Sequence, residues 1–351
     1  MIPAHNIYIH VPFCMSKCNY CAFFSVACGT PDWDTYATGI CDEIKYWGQK
    51  LGKIDVPTIF LGGGTPSLMP VGCLDKILGT IREQFNVLDG AEISLESNPA
   101  TIDKEKLADF CKCGINRLSV GVQSISDEKL KFLGRRHSVR DAIDLIGWGM
   151  DLGLRVSGDF IYGLPGDTVT DIKKTCDFIN NLGIEHCSLY ELTIEENTPF
   201  GKMRLDMPNN DEMAQMYIAI ADYLKLPRYE ISNYARHGQE CRHNQNVWDG
   251  QPYIGIGNGG AGRVLIEGQW YEQRGNYAQW DKMSNSNRAI EKVITGMRTI
   301  CGVGLTDDVK DVINMDTVQQ NPNLMQVTDG RLVATDAGRL VLDDMLVKLI
   351  R

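Results

Sequence analysis

The chain is 351 residues long, 43% apolar and 23% charged, and its 35 Lys and Arg against 45 Asp and Glu give a net charge of −10. That composition describes a folded chain with a large core, about two domains by length, and not a disordered one. The acidic balance excludes a nucleic-acid binder held by phosphate neutralisation, and no run approaches the ~20 apolar residues of a spanning helix.

Residues 1–6 carry no Lys or Arg, and the apolar run behind them is interrupted by His10 and Pro12. No signal peptide is expected, and the location read from this is cytoplasmic. The twelve Cys then stay reduced, where clustered thiols bind metal more often than they pair.

Runs with strand character start near residues 7, 58, 92, 117, 155 and 186, each rich in Ile, Val, Leu, Phe or Tyr. The stretches between them are long enough for crossover helices. In one, Ile172, Cys176 and Ile179 fall at i, i+4 and i+7 behind Asp167 and Thr168, a natural N-cap. Six alternating units predict an α/β fold with a parallel sheet, a partial (β/α)6 TIM-like barrel over residues 1–205. Function in such folds sits at the C-terminal ends of the strands.

After Leu192 the rhythm changes. A polar connection over 193–208 leads to a helical stretch over 211–224 and a Gly- and aromatic-rich segment over 229–280. We read 206–285 as an extension and 286–351 as a small helical domain. The latter closes on a hairpin and a helix, in the manner of a winged helix.

Directly behind the first strand stand Cys14, Cys18 and Cys21. Three thiolates within eight residues can wrap one compact centre, one ligand short of filling a cubane iron–sulfur cluster and so leaving one iron open. The alternatives are a zinc site completed by Cys28 or His10, or free buried Cys. Cys41, Cys73, Cys176, Cys187 and Cys301 are expected to fill core space, and Cys111 and Cys113, one residue apart on a helix, to face different ways.

Gly62-Gly63-Gly64-Thr65-Pro66 follows the second strand. Such glycines either let backbone N–H groups approach a ligand or simply make a tight turn. Glu96, Gln123 and Asp159 lie at the ends of the third, fourth and fifth strands, and Arg135 follows the fourth. They are either ordinary caps or one converging set.

The spacing C-x3-C-x2-C after a first strand, with Tyr8-Ile9-His10-Val11-Pro12-Phe13 ahead of it, resembles the radical S-adenosylmethionine (SAM) superfamily. More narrowly it resembles the group of anaerobic coproporphyrinogen III oxidases and heme chaperones of the HemW branch. The resemblance implies a radical SAM barrel. Cys14, Cys18 and Cys21 would hold a [4Fe–4S] cluster whose open iron chelates SAM, and an electron would cleave SAM to methionine and a deoxyadenosyl radical. It further implies SAM contacts at Tyr8, Tyr20, Gly63, Gly64, Thr65, Glu96, Gln123, Arg135 and Asp159.

Cys241-Arg242-His243-Asn244-Gln245-Asn246-Val247-Trp248 resembles the segment in which that branch carries a histidine implicated in heme binding. His243 is the candidate heme ligand; on its own it would read as a structural histidine. Val247 stands where the family has Tyr, and Asn258 where it has Pro, which implies weaker porphyrin affinity. Phe23 occupies the position of the oxidases' fourth Cys, and Tyr8 lies almost at the start of this chain where the oxidases carry an extension. Both favour the chaperone branch. The partners implied are heme or another tetrapyrrole, an electron-donor protein and client heme proteins. A dimer and peripheral membrane contact through clients are left open. The competing readings are a radical SAM enzyme acting on a tetrapyrrole, and a structural iron–sulfur or zinc protein.

Overall fold

Six strands form the centre of the molecule: β1 (Asn6–Val11), β2 (Asp55–Gly63), β3 (Asn86–Ser97), β4 (Arg117–Gln123), β5 (Arg155–Tyr162) and β6 (His186–Glu191). They pair in parallel in that order, as a right-handed series of βαβ units requires. The computed structural model describes residues 3–275 and 279–351. Alternate side chains decide the layering. Ile7, Ile9, Val11, Ile59, Leu61 and Leu95 point away from the barrel axis and are fully buried in the apolar layer shared with the helices. Each such side chain contributes about 1.5–3 kcal/mol.

The helices are α1 (Trp33–Leu51), α2 (Val71–Gln84), α3 (Lys104–Cys113), the short α4 (Asp127–Phe132), α5 (Val139–Asp151) and α6 (Val169–Leu182). In α6, Thr168 and Asp171 form a reciprocal capping box, and Ile172, Cys176 and Ile179 are the buried stripe, as the periodicity predicts.

Beyond α7 (Asn210–Tyr223) the chain returns to the same sheet. Strand β7 (Asn233–Ala235) adds antiparallel to β6. After α8 (Arg242–Trp248), β8 (Tyr253–Ile256) adds parallel to β1 and continues into antiparallel β9 (Ala261–Ile266), β10 (Gln269–Arg274) and β11 (Trp280–Lys282). The segment expected as an extension thus supplies strands at both edges of one eleven-stranded sheet. The physical reason is that each terminal strand of a six-stranded open sheet would leave a row of unpaired backbone groups.

The remainder, from α9 (Asn285–Gly296) onward, has its own apolar cluster, with Val293, Met297, Leu332 and Leu346 among its members. Its three-stranded sheet and the helix Leu342–Leu349 match the expected hairpin-and-helix tail. Cys41, Cys73, Cys176 and Cys187 are buried as expected. Cys301 is exposed, contrary to expectation, because it lies in the surface turn closed by Gly302 N–H on the Thr299 carbonyl. Among the described residues no helix is long and apolar enough to cross a membrane.

Candidate functional site

The inward side chains of the six strands line one cavity of about 700 Å³. Its wall is unusually polar for a parallel barrel, whose interior normally holds layers of Val, Ile and Leu. Ser94, Ser119, Ser157 and Ser188 occupy successive strands around it. The signal is present in the sequence as strict alternation, for example Glu92-Ile93-Ser94-Leu95-Glu96. A strand covered on both faces normally reads as a continuous apolar run, so this alternation marks one face turned toward polar surroundings. These serines, with Glu92, Arg117 and His186, were not among the residues singled out from sequence.

Cys14, Cys18 and Cys21 all open onto the mouth of this cavity. Their loop is pinned at its base by a two-residue parallel ribbon, Phe13–Cys14 against Val26–Ala27. Its middle is tied to the end of α4, where the Asn19 backbone N–H and side-chain amide donate to the Leu133 and Phe132 carbonyls at 3.0 and 2.8 Å. The Thr65 hydroxyl donates to Cys14 Sγ at 3.6 Å and Arg135 Nη1 to Cys18 Sγ at 3.5 Å. Donors aimed at sulfur suit thiolates that carry negative charge.

Among the described residues, no three His, Cys, Asp or Glu side chains gather around a single point, as one metal ion would need. His10 is not a zinc ligand. Its Nδ1 meets the Tyr8 hydroxyl at 3.0 Å and its Nε2 the Phe24 carbonyl at 2.8 Å, which occupies both ring nitrogens.

Gly63, Gly64 and Thr65 line the cavity with their backbone donors engaged. Gly63 N–H donates to Glu96 at 3.0 Å, Gly64 N–H to the Val11 carbonyl at 2.7 Å and Thr65 N–H to the Phe13 carbonyl at 2.8 Å. These three N–H groups are spent inside the protein and do not reach for a ligand. Glycine is required there by crowding: a Cβ on Gly63, at φ +111°, would sit 2.6 Å from the His10 ring, and one on Gly64 2.7 Å from the Phe13 carbonyl.

Glu96, Gln123, Arg135 and Asp159 do converge on the cavity, together with Tyr8 and Tyr20. Burial, reinforced by the Asp159 carboxylate and opposed by the Gly63 N–H, pushes Glu96 up to about 7. Gln123 sits at the β4–β5 register shift with φ +66°, a left-handed conformation rare outside glycine and concentrated at functional sites. Arg135 Nη2 donates to the Gly121 carbonyl at 3.1 Å, while its Nε is buried without a partner. Asp159 accepts from Ser119, Ser157 and Ser188 at 2.6, 3.2 and 2.8 Å, a cage that offsets part of the upward push of burial.

His243 lies in α8 and lines the same cavity, beside Thr58 near the start of β2. Glu92, fully buried on β3, anchors it: its carboxylate accepts the backbone N–H groups of His243 and Arg242 at 2.9 and 3.2 Å and pairs with Arg155 at 3.1 Å. The ring rests 5.2 Å from Phe60. Its tautomer follows from a chain of donors. Asn6 Nδ2 donates to the Pro252 carbonyl, so Asn6 Oδ1 is the acceptor for the Thr58 hydroxyl at 2.8 Å. With its proton spent there, Thr58 Oγ1 accepts from His243 Nδ1–H at 2.7 Å. Nε2 is therefore the bare lone pair. Burial lowers the imidazole to about 4, so it is neutral at pH 7.

The Radical SAM superfamily profile matches residues 8–179. The heme chaperone HemW of Escherichia coli (strain K12) is 36% identical over 76% of this chain and 71% of its own length. The HemW of Mycobacterium tuberculosis (strain CDC 1551 / Oshkosh) is 30% identical over 98% of this chain and 94% of its own. This chain belongs to the HemW family of radical SAM proteins. The structure of the Escherichia coli coproporphyrinogen III oxidase HemN, a radical SAM enzyme, superposes with a TM-score of 0.83 over 99% of this chain and 90% of its own. At 19% identity that likeness shows the fold alone.

Membership of the HemW family and of the radical SAM superfamily implies a [4Fe–4S] cluster and SAM, and the donors around Cys14 and Cys18 and the orphaned Arg135 Nε fit such a centre. Of the two departures from the HemW pattern, Val247 lines the cavity and Asn258 does not: it is exposed, in the turn closed by Gly260 N–H on the Gly257 carbonyl. Trp248 also lines the cavity and is covered by the Arg298 guanidinium at 5.1 Å.

Proposed function

We propose that this chain is a heme chaperone that binds heme through His243, holds SAM at a [4Fe–4S] cluster on Cys14, Cys18 and Cys21, and passes heme to client heme proteins. The observation that carries the reading is His243 itself. A neutral imidazole with Nδ1–H fixed by Thr58 and Nε2 bare toward the cavity has the form of a metal-binding histidine oriented by its outer partners.

Around the cluster, Arg135 supplies a cation for SAM's carboxylate, Glu96 an acceptor for its ammonium and Gln123 a two-way hydrogen-bonding amide. Tyr8 and Tyr20 flank that space, and Asp159 sets the polarity of the wall below it. When bound, the cluster and SAM supply one-electron chemistry. Reduction of the cluster calls for an electron-donor protein. Phe23, 71% exposed at the mouth, offers no thiol where the oxidases carry a fourth Cys.

The test is anaerobic reconstitution followed by parallel assays. Heme binding followed by its Soret band should be present and weakened by His243→Ala. Release of CO2 from coproporphyrinogen III in step with SAM consumption would replace the chaperone by the oxidase reading.

A further inference from the structure

Below the layer of Glu96 and Ser119, the cavity floor holds a cation that makes no salt bridge among the described residues. Arg117 on β4 is 2% exposed and lines the cavity. Its Nη1 donates to the Gln239 carbonyl at 3.1 Å, and its Nη2 is buried with no partner. Its register partner on β3 is Ser94, fully buried, lining the same cavity, with a hydroxyl that is likewise without a partner. Strands in register stand ~4.8 Å apart, close enough for one small anion to touch both groups.

The surroundings supply no other occupant among the described residues. Glu92 is taken by Arg155 at 3.1 Å. Asp159 lies two positions further along β5 than Ser157 and is capped by three serines. His186 is neutral, with its ring nitrogens on the Ser157 and Tyr229 hydroxyls at 2.7 and 2.8 Å. A buried guanidinium with an idle N–H and no ion pair is a costly arrangement to keep unless something uses it.

We propose that Arg117 and Ser94 form a carboxylate-accepting subsite in the cavity floor, which takes a propionate of the bound tetrapyrrole. One carboxylate oxygen accepts from Arg117 Nη2 and the other from the Ser94 hydroxyl. A monoanion suits a guanidinium that already lies in the field of the Asp159 carboxyl. A phosphate dianion would place surplus negative charge beside Glu92 and Asp159. The assignment of a tetrapyrrole as ligand rests on the function proposed above; the carboxylate chemistry rests on the two orphaned groups.

The experiment compares hemin, which carries the iron that His243 would bind, with hemin dimethyl ester on the full-length protein by quenching of tryptophan fluorescence, Trp248 being in the cavity wall. Wild type should prefer the free acid at least tenfold, the worth of a charge-assisted hydrogen bond. Arg117→Met should abolish that preference, Arg117→Lys keep part of it, and Ser94→Ala reduce it a few-fold. Equal binding of acid and ester by wild type, which needs no variant to fold, overturns the subsite and leaves the tetrapyrrole reading standing. An undiminished preference in folded Arg117→Met does the same. Binding of neither porphyrin overturns the tetrapyrrole reading. The subsite is then decided by butyrate in a thermal-shift assay: a rise in wild type that Arg117→Met erases supports it, and no rise overturns it.

Discussion

Glu92→Ala tests whether the cavity floor is held together by one carboxylate. Four groups converge on it: the Arg155 guanidinium at 3.1 Å, the His243 and Arg242 backbone N–H groups at 2.9 and 3.2 Å, and Cys241 Sγ at 3.6 Å. Removing one member of a buried ion pair costs ~3–5 kcal/mol. The low end applies, because Arg155 is 28% exposed and partly recovers its hydration. Each N–H at the start of α8 left without an acceptor adds ~1 kcal/mol or more. The expected loss is about 5 kcal/mol, a large share of the ~5–15 kcal/mol that folded chains possess. At an unfolding entropy of ~2 cal/mol/K per residue, this lowers the melting temperature by roughly 7 °C.

Glu92→Gln keeps the shape and one acceptor oxygen but drops the charge, so about half that loss is expected. Urea denaturation followed by circular dichroism gives the free energies. A Glu92→Ala protein within 1 kcal/mol of wild type would show that α8 is held by packing and not by this carboxylate.

Three further outcomes are expected. Cys18→Ala should abolish the cluster, read as loss of iron and of its visible absorption after anaerobic reconstitution, whereas stoichiometric zinc in wild type would end the cluster reading. Arg135→Ala should weaken SAM binding by roughly tenfold to a hundredfold, the worth of a charge-assisted hydrogen bond, with iron retained; unchanged affinity by calorimetry removes Arg135 from the SAM site. Burial lowers His5, His137 and His243 to about 4 in the folded chain, so the unfolded chain binds more protons between about 6.5 and 4, and their stabilising share is lost as pH falls through that window. Glu96, raised to about 7, works the other way, contributing stability that is lost as pH rises from about 4.5 to 7. Glu43, Asp159, Glu191, Glu230 and Asp249 are raised by burial as well, so the sign is read on a variant: Glu96→Gln should make unfolding free energy fall more steeply on acidification from pH 6.5 to 4.5, and an unchanged slope refutes the assignment.

The barrel was legible because its outward faces carry regular apolar spacing, and because α6 begins with a capping box that can be read from Thr168 and Asp171 alone. The cysteine loop was legible from local spacing. Arg117 and Ser94 were not. Their meaning depends on β3 and β4 standing in register, and on a partner being absent from each, which no spacing encodes. The crowding at Gly63 and Gly64 was illegible for a related reason, since His10 and Phe13 reach them from β1 and the loop behind it. The strands at 233–235 and 253–256 were missed because each is short and borrows its partner from the far end of the chain.

That borrowing sets a timetable. Asn6 of β1 pairs with Tyr253 of β8, across about 250 residues, and at ~5–20 residues per second synthesis takes roughly 12–50 s to span that distance. Throughout that interval the strand that carries the cysteine loop has one open edge. The edge of β1 beside the cysteine loop is therefore covered only after a stretch of chain longer than two thirds of the sequence has been made.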